Sequence, residues 1–308
     1  MKVVYMGTPD FAVPAMQKLH DAGYEIAYAV TQPDAVSGRG KKVNFPPVKE
    51  KALELGIEVL QPEKVRGNEE FIQKIADAAP DVIVVAAYGQ ILPQSVLDIP
   101  RLGCINIHGS LLPRFRGASP IQAAILAGDE ETGVTIMHMA KKLDAGNMIS
   151  KASTPIDKKT AGDLHDELAV LGAELLLETI PKLENCEGEV QDENLVTYAG
   201  MITKKDGEID FTKSADEIER MSRAFCPWPG TFTHLGDKML KIWKADAIMD
   251  KDTGKAPGTV VEAKKDTLEI ACGEGVLKVL EIQAPGKKRV TAGEYLRGNS
   301  IEIGTVLG

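Results

Sequence analysis

Two polar residues, Asn106 and His108, end a short apolar run that begins at Cys104 and has the composition of a strand. Side chains of a strand alternate between its two faces, so the amide and the imidazole leave the backbone on the same side. At the carboxyl end of a strand in an open α/β sheet, that side borders the crevice in which ligands bind. The spacing therefore predicts a polar site at such an edge.

The chemistry open to this pair follows from the two residue types. The amide of Asn106 is a neutral hydrogen-bond donor, and the imidazole of His108 can donate or relay protons near neutral pH. Taken alone, both residues also have a structural interpretation, because an asparagine there can hold a turn and a histidine after a strand can simply be part of the core. The residues around them decide between these interpretations.

The pair opens a longer run with a dense turn of glycine, proline and arginine, Asn106-Ile107-His108-Gly109-Ser110-Leu111-Leu112-Pro113-Arg114-Phe115-Arg116-Gly117. This run resembles the signature of the formyltransferases that use 10-formyltetrahydrofolate, which is Asn-x-His, then Ser-Leu-Leu-Pro, then an Arg- and Gly-rich turn. Three more stretches extend the resemblance over nearly the whole chain: residues 6–12, 143–146 and 226–230. The pattern is most similar to the members of the family that act on methionyl-tRNA.

The resemblance implies a reaction and a set of residues. The formyl group of 10-formyltetrahydrofolate, a co-substrate, would pass to the amino group of methionine on initiator methionyl-tRNA. A tetrahedral oxyanion forms in such a transfer, and donors with a proton route lower its energy. Asn106 and His108 would stabilise the oxyanion, while Asp144 would orient the histidine or assist the proton transfer. The residues that match the family's folate-binding motif are Ser110, Leu111, Leu112 and Pro113.

The elements that must position these residues predict an α/β fold. A β-rich run at 2–6, an apolar helical stripe over 11–19 and a second strand at 26–31 indicate a Rossmann-like, doubly wound, mostly parallel sheet. Residues 81–89 are apolar on both faces, which is typical of a buried central strand. Its end should lie beside the end of the strand that carries Asn106. The first turn lacks GxGxxG, so nicotinamide or flavin binding has little support.

The chain is long enough for two domains. We expect a Rossmann-like catalytic domain over 1–185, a polar linker over 186–209 and a smaller domain over 210–308. Short β-like runs separated by glycine turns predict a small β-barrel in that last part. The resemblance implies that this barrel is OB-like and contacts tRNA.

The formal net charge of −9 argues against general affinity for nucleic acids, so any RNA contact must come from local basic patches. Residues 32–47 form a long stretch rich in glycine and proline that carries Arg39, Lys41 and Lys42. The resemblance implies that this basic insertion contacts the acceptor stem; by itself it could be a solvated loop. A second cluster, Lys287-Lys288-Arg289, leaves the same two interpretations open.

The cysteines and the apolar runs of the sequence bear on metal binding and on the location of the protein. The four cysteines are far apart and form no CxxC pair, so they predict buried reduced thiols and no zinc site. No metal requirement is visible. The longest apolar run, 82–88, is far too short to cross a bilayer, and the first residues lack the pattern of a signal peptide. We therefore expect a cytoplasmic protein, and a monomer.

Two alternatives remain at this point. The first keeps the folate donor and changes the acceptor to an amino-sugar nucleotide, to glycinamide ribonucleotide or to another small amine. The extra hundred or so residues count against the single-domain glycinamide enzymes but not against the amino-sugar enzymes. The second is a folate- or RNA-binding module without catalysis, against which the complete set of Asn106, His108 and Asp144 argues.

Overall fold

The computed structural model describes residues 1–37 and 42–308. Arg39 and Lys41, together with the side chain of Lys42, lie outside the described residues, so the RNA contact predicted for them stays a prediction. Contacts divide the chain into two compact units. The first comprises Met1–Pro120, Thr132–Pro155 and His165–Ala199, and the second Ile121–Glu131, Ile156–Leu164 and Gly200–Gly308.

The elements up to residue 199 include every strand and helix that the sequence predicts there. The strands are β1 (Lys2–Gly7), β2 (Glu25–Val30), β3 (Ala35–Ser37), β4 (Lys42–Asn44), β5 (Val59–Leu60), β6 (Val82–Ala86), β7 (Cys104–His108), β8 (Arg116–Gly117), β9 (Glu131–His138), β10 (Met148–Pro155) and β11 (Tyr198–Ala199). The α-helices are α1 (Val13–Asp21), α2 (Pro47–Glu54), α3 (Glu69–Asp77), α4 (Gln94–Leu97), α5 (Pro120–Ala127) and α6 (Ala161–Thr179).

The main sheet has the strand order β10-β9-β7-β6-β1-β2-β5. The pairs β1–β2, β1–β6, β2–β5 and β6–β7 are parallel, whereas β7 and β9 are antiparallel. The Rossmann-like, mostly parallel sheet predicted from the sequence is therefore confirmed. All five residues of β6 are buried, as a central strand between two parallel neighbours requires. Val85 of β6 pairs with Asn106 of β7, so the two strand ends are adjacent.

Helix α6 supports the strand that carries the predicted site. Thr160 and Asp163 form reciprocal hydrogen bonds at its start, in the manner of a capping box. Gly172 lies so near β7 that a Cβ atom there would be 2.8 Å from Cγ2 of Ile107. The glycine thus lets the helix pack closely against the strand and fixes its buried face.

Residues 32–47, which the sequence predicts as a loop without regular structure, contain a short antiparallel hairpin in their described part. Strand β3 pairs with β4, and Ala35 lies opposite Asn44. The prediction of an irregular segment is wrong for these strands. Each is only three residues long, and three residues cannot show a recognisable alternation.

The second unit carries an antiparallel sheet. Its elements are α7 (Ala215–Ala224), β12 (Thr231–Leu235), β13 (Lys238–Ile248), β14 (Val260–Lys264), β15 (Thr267–Ala271), β16 (Val276–Gln283), β17 (Val290–Thr291) and α8 (Ala292–Gly298). The strand order is β12-β13-β16-β15-β14, with β17 beside β16. The short β-like runs predicted for this part of the chain are present as β13 to β16, whereas β12, β17 and α8 were not predicted. A capping box of Thr291 and Glu294 begins α8 and would have indicated it.

The last residues of the chain join the two outer strands of this ladder. Leu307 donates a backbone hydrogen bond of 2.9 Å to Gly258, next to β14, and Gly308 donates one of 3.2 Å to His234 of β12. These bonds provide edge-to-edge contacts of the kind that a small barrel requires. Among the described residues, no helix is both long and apolar enough to cross a membrane.

Candidate active site

Strand β7 places Asn106 and His108 on one face, between buried residues of the other face, Ile105 and Ile107. The His108 side chain is almost fully buried, and its Nε2 lies 3.0 Å from the carbonyl oxygen of Phe115. A carbonyl oxygen only accepts, so Nε2 must carry the hydrogen and donate it. In the neutral ring, Nδ1 therefore keeps its lone pair and is free to act as a base.

Asp144 lies beside that nitrogen. Its Oδ2 is 3.8 Å from Nδ1 of His108, and the carboxylate is largely buried, with 12% of the side chain exposed. The same oxygen accepts a 2.8 Å hydrogen bond from the backbone N–H of Gly117. The structure therefore brings a carboxylate to the imidazole from a distant loop, and this carboxylate can stabilise an imidazolium.

The backbone around Asp144 is unusual. Asp144 has a left-handed conformation with φ 47°, which non-glycine residues seldom adopt. Two residues on, a Cβ atom at Gly146 would lie 1.7 Å from the carbonyl oxygen of His138. Only glycine fits there, so the loop is packed against the end of β9. The carboxylate is thus held by a loop that has little freedom to adapt.

Asn106 differs from its two neighbours because its amide remains available. The residue is half-buried, and no hydrogen bond joins its side chain to the rest of the described chain. A neutral amide donor that is free and accessible, two positions from His108 on the same strand face, is suited to bind a developing oxyanion.

The loop after β7 is held by a residue that sequence reasoning missed. Oγ1 of Thr135, on β9, donates to the carbonyl oxygen of Ser110 at 2.7 Å and accepts from the backbone N–H of Leu112 at 3.1 Å. Thr135 is fully buried. Its apolar neighbours in the sequence made it indistinguishable from any other strand residue, so no local signal identified it.

The residues of the predicted folate motif have unequal surroundings. The hydroxyl of Ser110 donates to the carbonyl oxygen of Arg114 at 2.7 Å, and Leu112 packs into the core with Met137 and Met148. Leu111 and Pro113 are partly exposed. The parts of the motif that remain accessible are thus the two flanking apolar residues, and the other two shape the loop.

A polar cluster lies at the carboxyl ends of β1, β2 and β6. The carbonyl oxygen of Tyr88 accepts hydrogen bonds from Oγ1 of Thr8 at 2.9 Å and from Nε2 of Gln32 at 3.1 Å. Burial raises the pKa of Tyr88 to about 12, so its phenol remains neutral. Ile91, just beyond, is 81% exposed. This edge of the sheet therefore combines hydrogen-bonded polar groups with an apolar side chain that faces solvent.

No group of acidic, histidine and cysteine side chains in the described chain has the arrangement of a metal site. All four cysteines are free. Burial raises the pKa of Cys104 to about 12 and that of Cys272 to about 11, so both thiols stay protonated and unreactive.

The comparison with known families identifies the class of protein. The family model "Formyl transferase" matches residues 1–180, and "Formyl transferase, C-terminal domain" matches residues 201–300. The chain belongs to the formyl transferase family.

Individual relatives point to one branch of that family. A methionyl-tRNA formyltransferase of Clostridioides difficile is 50% identical over 311 residues, with 100% of both chains covered. A protein of the same name from Caldanaerobacter subterraneus is 49% identical over 312 residues, again with both chains fully covered.

A solved structure shares the fold at lower identity. It is an N-formyltransferase from Helicobacter canadensis in complex with folinic acid and dTDP-3-aminofucose, with a TM-score of 0.67 and 19% identity. The alignment covers 92% of this chain and 99% of that one. At this identity the likeness extends to the fold alone.

Proposed function

We propose that this chain transfers the formyl group of 10-formyltetrahydrofolate to the amino group of methionine on initiator methionyl-tRNA. The observation that carries the proposal is the carboxylate of Asp144 at 3.8 Å from Nδ1 of His108, in a chain that matches methionyl-tRNA formyltransferases over their full length. An amide, an imidazole and a carboxylate are the groups that transfer of an acyl unit between two nitrogens requires.

We assign each of the three residues a role that fits its surroundings. Nδ1 of His108 takes the proton from the attacking amine, because Nε2 is engaged by Phe115. Asp144 then stabilises the imidazolium, which returns the proton to the folate nitrogen as the bond between that nitrogen and the formyl carbon breaks; the formyl group stays on the methionine nitrogen and tetrahydrofolate leaves. The free amide of Asn106 donates to the oxygen of the formyl group as negative charge develops there. Charge stabilisation of this kind accounts for about 10²–10³-fold in rate per donor.

The folate co-substrate requires an apolar wall for its ring system, together with polar groups for its edge. In this chain Leu111 and Pro113 offer partly exposed apolar surface directly after the strand of His108. Leu143, next to Asp144, is 58% exposed. Ser110 and Leu112, the other two residues of the predicted motif, would act through the loop conformation that they maintain. These features fit a flat, partly apolar donor.

The acceptor tRNA would be bound by basic residues. Arg39, Lys41 and Lys42 are proposed contacts to the acceptor stem, and the carboxy-terminal barrel is a second proposed contact surface. The boundaries 1–185, 186–209 and 210–308 stay a proposal for the catalytic domain, the linker and the tRNA-contacting domain. A role in translation also fits a cytoplasmic location, and we propose that the chain acts as a monomer without a metal.

Transfer of the formyl group to an amino-sugar nucleotide is the second candidate. It is supported by the fold shared with the Helicobacter canadensis enzyme, whose complex contains an aminofucose nucleotide. Against it stands the full-length identity of 50% with a protein named for methionyl-tRNA.

The test compares the two acceptors directly. Purified protein and 10-formyltetrahydrofolate are mixed with methionyl-tRNA in one reaction and with dTDP-3-aminofucose in another, and formylated product is measured. The proposal predicts formyl-methionyl-tRNA and no measurable formylation of the sugar nucleotide. Efficient formylation of the sugar with none of the tRNA would show that the second candidate is correct.

A further inference from the structure

The side chain of Gln191 connects the Asp144 loop to a buried arginine. Its Nε2 donates to the carbonyl oxygens of Asp144 and Gly146, both at 2.8 Å. Its Oε1 accepts from Nε of Arg116 at 2.9 Å. Because carbonyl groups only accept and a guanidinium only donates, the amide can occupy this place in one orientation alone. A single side chain thus fixes both ends of the turn that carries the carboxylate.

The backbone around Gln191 is itself fixed to the loop of residues 108–117. The short strands β8 and β11 are parallel, and Arg116 donates its backbone N–H to the carbonyl oxygen of Thr197 at 2.9 Å. At Gly117, φ is 121° and a Cβ atom would lie 2.4 Å from the carbonyl oxygen of Ala199. Gln191 is 5% exposed. The carboxamide of Gln191 is therefore buried and held in a defined position by the backbone pairing around it.

Burial of the Arg116 guanidinium is energetically unfavourable. Its side chain is fully buried, Nη2 donates to Glu193 at 3.0 Å, and Nη1 is buried without a hydrogen-bond partner among the described residues. A buried charge with an unsatisfied donor is weak as a source of stability, and apolar residues of similar volume often replace such groups without loss. The contact of Arg116 with Gln191 is therefore better explained by what it positions.

Asp144, the residue that Gln191 positions, has a backbone conformation that must be held by its surroundings. The left-handed backbone of Asp144 is strained, and such a conformation persists only where the surrounding structure imposes it. Gly117 holds one carboxylate oxygen, and Gln191 holds the peptide carbonyl of the same residue. One hydrogen bond thus fixes the side chain of Asp144 and the other fixes its backbone. Together they determine where the carboxylate lies relative to His108.

We propose that Gln191, held in place by Arg116, is a positioning residue that sets the carboxylate of Asp144 beside His108. This inference rests on the proposed function, because it concerns the same reaction centre. It assigns Gln191 an effect on the chemical step and none on the binding of either substrate. A displacement of about 1 Å at a reaction centre can cost about 10²-fold in rate.

The discriminating variant is Gln191→Glu. A carboxylate still accepts from Arg116, so the buried guanidinium keeps its partner, but it cannot donate to the carbonyls of Asp144 and Gly146. The proposal predicts a kcat about 10–100-fold lower, with KM for methionyl-tRNA and for the folate donor within about twofold of wild type. Glu193→Gln is the matched control, because it alters an exposed partner of the same guanidinium and should leave kcat unchanged.

A double-mutant cycle tests whether the effect passes through Asp144. In an Asp144→Asn background, Gln191→Glu should change kcat by no more than about twofold, because the carboxylate that it positions is already absent. Should Gln191→Glu fail to fold, Gln191→Met removes the same two hydrogen bonds, and also the one from Arg116, with a neutral side chain and is measured in the same cycle.

The outcomes are distinct. Wild-type kcat in the variant, a raised KM at unchanged kcat, or independent losses in the cycle would each overturn the positioning role while leaving the proposed function intact. A wild-type protein that formylates no acceptor would overturn the proposed function and the positioning role with it.

Discussion

Oδ2 of Asp144 lies 3.8 Å from Nδ1 of His108, although His108 is the last residue of β7 and Asp144 lies in the loop after β9. That separation is too long for a hydrogen bond and short enough for strong charge stabilisation. Asp144 contacts Nδ1, the ring nitrogen that can accept a proton, because Nε2 donates its hydrogen to the carbonyl oxygen of Phe115. The relationship is therefore one of a base with an adjacent counter-charge.

Removing that charge should slow the transfer. Asp144→Asn keeps an oxygen that can accept from Gly117 but loses the carboxylate that stabilises the imidazolium. We expect kcat to fall by about 10²-fold or more, with the melting temperature nearly unchanged. Asp157→Asn is the control, because Asp157 is an exposed aspartate with the same φ of 47° and lies outside the proposed site. Equal activity of both variants would remove Asp144 from the mechanism.

The loop that follows β7 should depend on the hydroxyl of Thr135. Thr135→Val leaves the buried N–H of Leu112 and the carbonyl of Ser110 without their partner. An unsatisfied buried group costs about 1–3 kcal/mol, so the free energy of unfolding should drop by about that amount. Denaturation in urea measures it. Thr135→Ser retains the hydroxyl and should lie closer to wild type, and a valine variant as stable as wild type would contradict the assignment.

A methyl group at Gly146 should displace the loop that carries Asp144. In Gly146→Ala the Cβ would have to displace the backbone of His138, from which it would be 1.7 Å away. We expect a loss of stability of about 1–3 kcal/mol, together with a loss of formylation rate, because the carboxylate two residues away shifts with the loop. Gly200→Ala is the matched control, since nothing lies within 4 Å of its added methyl. Comparable effects at both positions would refute the steric argument.

Stability should decline in acid through Glu219. This carboxylate is buried on α7, and burial alone would raise its pKa, but hydrogen bonds from Arg223 and Lys158 outweigh that effect and lower the pKa. A carboxylate with a depressed folded-state pKa stabilises the protein above the unfolded value, ~4.3 for glutamate, and this stabilisation is lost as the pH falls through the folded pKa.

The measurement is the unfolding free energy of wild type and of Glu219→Gln between pH 7 and pH 3. The difference between them should be largest at neutral pH and shrink below about pH 4. Glu70→Gln, which changes an exposed residue of α3, should track wild type throughout. A difference that is constant with pH would mean that the charge of Glu219 does not contribute.

Much of this architecture is visible in the sequence, and the reason is local periodicity. The alternation of β7 predicts that Asn106 and His108 share a face, and the unbroken apolar run of β6 predicts its central place. Sequence patterns of the capping-box type, Thr160 with Asp163 and Ser214 with Glu217, lie at the starts of α6 and α7. Each of these signals lies within a few residues of the structure that it predicts.

The parts that sequence reasoning missed depend on partners far away along the chain. Thr135 bonds Ser110 across 25 positions, and Gln191 bonds Asp144 across 47. The strands β8 and β11 that bring Gln191 near are two residues long, too short for any periodicity. Asp144 itself was found through resemblance to a family and not through spacing, and its proximity to His108 required the fold.

The most direct test of the account measures transfer of a labelled formyl group from 10-formyltetrahydrofolate to methionyl-tRNA, with wild type and His108→Ala side by side. The account predicts formyl-methionyl-tRNA with wild type and a rate at least about 10²-fold lower with the variant, at unchanged folding. The absence of product from wild type with an active donor, or equal rates for the two proteins, would contradict it.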